Sequence, residues 1–143
     1  MVTTAGAGES SSGVAKMGLS EGQIVQEIGW YSDVDEDLRH DIMDEVDADL
    51  LEDPLEAVDV VLLWWREDDG DVVDGLLESL RSLSDTGVVW LLTPKIGTEG
   101  YVDPADIAEA ASTAGLSLTS TESVSSGWTA TKLVRPKSGR KNG

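Results

Sequence analysis

The stretch Ala57-Val58-Asp59-Val60-Val61-Leu62-Leu63-Trp64-Trp65-Arg66 decides the fold. It is an apolar run of strand length, bounded by Pro54 before it and Glu67-Asp68-Asp69-Gly70 after it. A strand with one solvated face alternates apolar and polar residues. This run does not alternate, which is the pattern of a parallel strand covered on both faces. Val88-Val89-Trp90-Leu91-Leu92-Thr93-Pro94-Lys95 repeats the pattern, and helical periodicity follows each run. Strand and helix in series imply right-handed crossovers in an α/β sheet. The expected architecture is a single three-layer α/β domain whose Rossmann-like sheet of five or six strands is mostly parallel.

Working outward, residues 23–30 read as a first strand, and Asp33 or Asp35 as the cap of a helix that buries Leu38, Ile42 and Val46, with Met43 beside them. Residues 46–51 have room for a short edge strand, which Glu52-Asp53-Pro54 breaks. The helix after the central strand is expected over 72–83, with Val73, Leu76, Leu77, Leu80 and Leu83 inward and Asp85-Thr86-Gly87 ending it. The next strand stops at Pro94, which has no N–H to give to a ladder. Asp103-Pro104-Ala105-Asp106 is a helix start, with Asp103 as cap and Pro104 at the first helical position. Ile107, Ala110, Ala111 and Ala114 then face the sheet, and Gly115 supplies the left-handed stop. Residues 116–121 and 128–134 form a C-terminal antiparallel strand pair. Residues 1–15, rich in Gly, Ser, Thr and Ala, are expected to be disordered, 16–135 to form the domain, and 136–143 to be a flexible basic tail.

The 143 residues suffice for one domain with its own core. The absence of cysteine excludes disulfides, thiolate nucleophiles, iron-sulfur clusters and cysteine-ligated zinc. No apolar stretch approaches the roughly 20 residues that span a bilayer. Residues 1–12 have neither the basic start nor the apolar run of a secretion signal, so the expected location is the cytoplasm. Net charge is -18, from 28 acidic against 10 basic side chains. From Asp33 to Glu78 there are 19 carboxylates, opposed by Arg39 and Arg66. The plainest reading of this acidity is a solvated surface; the second is a face for a basic partner, and mimicry of nucleic-acid charge is a distant third. An acidic body repels nucleic acid and anionic membrane and steers basic partners toward itself. The expected partner is therefore a protein with a basic surface, with no nucleic acid and no membrane.

Chemistry-bearing residues are sparse. Trp30, Trp64 and Trp65 fall near the carboxyl ends of strands, where open α/β sheets hold ligands. Adjacent Trp64 and Trp65 point to opposite faces, so both cannot line one pocket by side chain alone. Arg66 is expected to pair with Glu67 or Asp68. His40, the single histidine, lies off its helix's buried stripe and is expected to be exposed. One histidine makes no multi-histidine zinc site, and no serine stands in a nucleophile elbow. Glu67-Asp68-Asp69-Gly70-Asp71 lacks the spacing of a calcium loop and reads as a turn whose carboxylates cap the next helix. Lys95, after the second apolar strand, is suited to a phosphate or carboxylate, though a solvated turn lysine is the simpler reading. No catalytic set, metal site or resident cofactor emerges. The reading is a non-catalytic protein acting by protein–protein interaction, as a regulator or adaptor.

Several stretches together resemble the DUF3052 family, a group of small bacterial proteins abundant in their acidic form in actinobacteria. These are Lys16-Met17-Gly18-Leu19, Gly22 to Trp30, Val60 to Trp65, Trp90-Leu91-Leu92-Thr93-Pro94-Lys95 and Trp128 to Val134. The resemblance runs from about Ala15 to Lys137 and implies no established activity. The order of elements is also similar to that of S-adenosylmethionine-dependent methyltransferases. That weaker likeness implies a cofactor near Gly29, Trp30, Trp65 and Lys95, with Trp30 over the adenine or methionine moiety and Lys95 on a carboxylate. Gly29 matches the first glycine of their cofactor loop. Trp30-Tyr31-Ser32-Asp33 stands where further glycines belong, and residues 46–58 are too few for a full strand-helix-strand unit. The alternative function is thus a trimmed or degenerate methyltransferase-like protein.

Overall fold

Val60 to Trp64 can lie flat between two apolar layers only if neighbouring strands satisfy every backbone group on either side, and they do. The computed structural model describes residues 13–136. Its sheet contains β1 (Val25–Ile28), β2 (Val58–Trp64), β3 (Leu83–Pro94), β4 (Ser117–Ser123) and β5 (Trp128–Val134), in the order β1-β2-β3-β5-β4. The β1/β2 and β2/β3 pairs are parallel, and β5 runs antiparallel to both β3 and β4. Helix α1 (Glu36–Val46) covers one face; α2 (Val72–Ser79) and α3 (Pro104–Thr113) cover the other. The expected three-layer, mostly parallel sheet with an antiparallel C-terminal pair is what forms.

Each face has its own core. Leu38, Ile42 and Val46 of α1 pack on Val60, Leu62, Trp64 and Trp90. Leu76, Ile107, Ala110 and Ala111 pack on Val61, Leu63, Val89 and Leu91. Asp35 caps α1 by accepting from Leu38 N–H at 3.0 Å, Asp71 caps α2 through Val73 N–H, and Asp103 caps α3 through Ala105 N–H.

Three expectations need correction. First, α2 ends at Ser79, and Leu83 opens β3 instead of closing a helix, because Val58 needs a partner: it stands opposite Leu83, and its N–H donates to Ser82 O at 2.8 Å. Second, the buried stripe of α2 is Val72, Gly75, Leu76 and Ser79, rotated by one residue from the expected one, which leaves Leu77 49% exposed. Small Gly75 admits the Trp65 ring, which would stand 2.7 Å from a Cβ there. Third, residues 46–51 contribute one bridge and no strand: Leu51 N–H donates to Val25 O, and Glu27 N–H to Leu51 O. Gly13 and Val14 also belong to the folded body, since Gly13 N–H donates to Val124 O and Val14 starts a 3-10 turn. The same turn takes in Ala15, so the expected disorder does not extend over 13–15; residues 1–12 and the tail beyond Pro136 lie outside the described residues. No helix among the described residues is long and apolar enough to cross a membrane.

Candidate functional site

Parallel β1 and β2 end together, with Ile28 opposite Leu63, so Gly29 lies beside Trp64. Gly29 has φ +83°, and a Cβ on it would stand 2.3 Å from the Trp64 carbonyl oxygen. Only glycine fits this approach of one strand end to the other. Beyond it the chain turns outward, leaving Trp30 47% and Tyr31 67% exposed. Trp30 Nε1 donates to Glu36 Oε2 at 3.1 Å.

Arg66 closes the gap between the two strand ends. Its Nη1 donates to Gly29 O at 2.8 Å, its Nε and Nη2 hold both oxygens of Asp33, and Asp69 Oδ2 accepts from its backbone N–H at 2.9 Å and from Nη1 at 3.3 Å. The guanidinium also lies 5.4 Å from the centre of the Trp128 ring, which meets Trp64 edge-on at 4.8 Å. The expected partners Glu67 and Asp68 are replaced by Asp33 and Asp69. A 3-10 turn at Glu67–Asp69 brings Asp69 back over Arg66, and the β1–α1 loop delivers Asp33. The hydrogen bond from Arg66 foremost holds the Asp33 carboxyl below its ordinary value. For Arg66 burial is the largest single influence and opposes the charge, but the hydrogen bonds and charges of Asp33 and Asp69 outweigh it and keep the guanidinium protonated.

One side of this closure is an open cleft of 710 Å³ whose lining includes Trp30, Tyr31, Trp65, Asp68, Asp69 and Glu99. Gly29, Trp30 and Trp65 therefore share a site. Lys95 does not: it lines a separate cavity on the α3 face. Trp64 and Trp65 part to opposite faces, Trp64 into the α1 core and Trp65 against α2, where its Nε1 donates to Gly70 O at 3.2 Å. His40 is exposed on α1. Among the described residues no group of three or more His, Asp or Glu side chains is arranged to hold a metal ion.

Beneath the cleft lies a second ion pair that the sequence reading missed. Glu27, 7% exposed on β1, accepts from Arg39 Nε and Nη2 at 2.7 Å each and from Trp64 Nε1 at 2.9 Å. Hydrogen bonding to Glu27 is the main cause of the raised pKa of Arg39. The signal was present: Glu27 lies in a strand between Val25 and Ile28, and a carboxylate buried there must find a cation.

The cleft fits S-adenosylmethionine poorly in this arrangement. The Gly29 backbone is committed to Trp64 and Arg66. The lining's single cation, Arg66, is spent on Asp33 and Asp69, and the remaining charged lining residues, Asp68 and Glu99, are acidic, so no cation of the lining is left for the cofactor's amino-acid carboxylate. The strand that would carry an acidic partner for a ribose is reduced to the Leu51 bridge.

Comparison with solved structures places the fold. A SAM-dependent methyltransferase from Aquifex aeolicus superposes with a TM-score of 0.53 at 12% identity, over 84% of this chain and 86% of that one. An O-methyltransferase (NcsB1) from neocarzinostatin biosynthesis, solved with S-adenosyl-L-homocysteine, gives 0.60 at 15% identity over 80% of this chain and 50% of that one. These likenesses establish a Rossmann-like, methyltransferase-type fold. In sequence, an uncharacterized protein of Mycobacterium tuberculosis is 47% identical over 137 residues, 95% of this chain and 86% of its own length. The family model described as protein of unknown function (DUF3052) matches residues 14–137, and the chain belongs to that family.

Proposed function

We propose that this protein is a non-catalytic binding module that captures a basic segment of a partner protein in the cleft at the carboxyl ends of β1 and β2. The observation that carries the reading is Arg66. The cleft already holds a guanidinium, gripped by Asp33 and Asp69 and resting against Trp128. Around it Asp68 and Glu99 have no ion pair among the described residues, and Trp30 and Tyr31 present exposed aromatic faces. Carboxylates beside aromatic rings suit further Arg or Lys side chains through charge and cation–π attraction. The net charge of -18 steers a basic partner inward, most strongly at low salt.

A competing reading, S-adenosylmethionine bound at Gly29, Trp30 and Trp65, draws on the fold likeness and the size of the cleft. Calorimetry separates the two. A short Arg-rich peptide is expected to bind the full chain, to weaken as salt rises, and to lose affinity in Trp30→Ala and in Asp68→Asn/Glu99→Gln. S-adenosylhomocysteine is expected to give no heat. Heat with S-adenosylhomocysteine, lost in Trp30→Ala while the peptide stays inert, would reverse the assignment.

A further inference from the structure

The register of the C-terminal strands builds a second site on the opposite face. Thr93 of β3 stands opposite Thr129 of β5, and Thr129 opposite Ser123 of β4; one row on, Thr131 faces Thr121. These hydroxyl side chains floor a cavity of 420 Å³, walled by Val102, Pro104, Ile107 and Leu118 and completed by Lys95 and Tyr101. It shares no residue with the Arg66 cleft.

Two independent features point to a ligand there. Thr93 and Thr131 are 3% and 2% exposed, neither hydroxyl bonds to a described residue, and neither is sealed away from solvent, so the little that is open of them faces the cavity they line. Hydroxyls that bond to nothing in the described protein and still reach the cavity are free to serve a ligand in place of water. Charge gives the second. Lys95 is half-buried and forms no ion pair among the described residues, in a chain of 28 carboxylates. The lining of this cavity contains no Asp or Glu, whereas the Arg66 cleft carries Asp33, Asp68, Asp69 and Glu99. On so acidic a protein, this is where an anion meets least repulsion.

We propose that this cavity binds a small organic acid with an apolar body. Its carboxylate lies on Lys95 Nζ and the Thr93 and Thr129 hydroxyls, and its body lies against Ile107 and Leu118. Octanoate, octanol and octylamine are suitable ligands for the test, followed by amide chemical shifts in the intact chain. Octanoate should shift Thr93, Lys95, Thr129 and Thr131 saturably. Octanol should bind about tenfold more weakly, the worth of one charge-assisted hydrogen bond, and octylamine should leave these amides unmoved. Lys95→Gln should reduce octanoate to the level of octanol without changing octanol. Thr93→Val, which keeps the side chain's shape, should weaken octanoate while leaving the urea midpoint near that of the parent chain. Equal binding of octanoate and octanol, shifts confined to the Gly29–Arg66 cleft, or no saturable shift up to the solubility limit would each overturn the assignment.

Discussion

Arg39 and Arg66 perform the same chemistry in two settings. Each guanidinium grips a carboxylate with two nitrogens, each lies next to a tryptophan-bearing strand end, and each ties a segment after β1 to the sheet. They differ in the acceptor. The Glu27 side chain is 5% exposed, while those of Asp33 and Asp69 are 47% and 38% exposed. A buried acceptor cannot turn to water when its cation leaves, whereas an exposed one can. Arg39 is therefore a fixture of the core, and Arg66 is a closure whose partners can be shared with an incoming cation.

The largest effect tests the fixture. Arg39→Met strands the Glu27 carboxylate with only Trp64 Nε1 to stabilise it. The expected loss is about 3 kcal/mol, the low end for breaking a buried pair because Arg39 keeps a solvated edge. It is read as a fall in the urea midpoint. The double variant Glu27→Gln/Arg39→Met removes both charges and should be more stable than Arg39→Met alone. If Arg39→Met is nearly neutral, the two arginines are equivalent and the contrast fails.

Next comes the seat that both strand ends share. Gly29→Ala places a methyl 2.3 Å from the Trp64 carbonyl oxygen at a φ of +83°, so β1 and β2 must part. A loss of about 2 kcal/mol is expected from the backbone conformation and the clash together. Because Gly29 O also accepts from Arg66, the Arg66 closure should loosen while the Glu27–Arg39 pair persists. Slowed exchange of the Trp64 indole N–H, retained in the variant, would report that persistence.

The sheet was legible in the sequence because its strongest signals are local. Unalternated runs at Val60 to Trp64 and Val88 to Leu92, Pro94, the Asp103-Pro104 start and the Gly115 stop each fix one element with no help from distant residues. What failed depended on contacts across the chain. The rotated stripe of α2 follows from Trp65 seated over Gly75, and the early start of β3 follows from the needs of Val58. The site divided in the same way. Gly29, Trp30 and Trp65 converge because they end neighbouring strands. Lys95, also at a strand end, goes to the other face, where its setting is made by β4 and β5 hydroxyls that no sequence spacing brings together. Arg66 found Asp33 and Asp69 instead of Glu67 and Asp68 because the loop after Gly29 delivers Asp33 and the 3-10 turn carries Asp69 back to it.

The smallest effect tests the closure itself. Arg66→Gln leaves Asp33 and Asp69 facing water, and an ion pair with exposed acceptors is worth about 1 kcal/mol or less at neutral pH. Its signature is the pH dependence. The hydrogen bond from Arg66 lowers the Asp33 pKa below the ordinary 3.8, so in the unfolded chain this carboxyl takes up its proton at a higher pH than in the folded one. The stabilisation is complete above the unfolded value and disappears as pH falls through the lowered folded value. The parent chain should therefore exceed Arg66→Gln in stability at neutral pH, and the two urea curves should converge in acid. A gap that stays constant into strong acid would mean that Arg66 stabilises through its packing on Trp128, leaving no exchangeable ion pair in the cleft. Sharing Asp33 and Asp69 with an incoming basic side chain requires the converging curves.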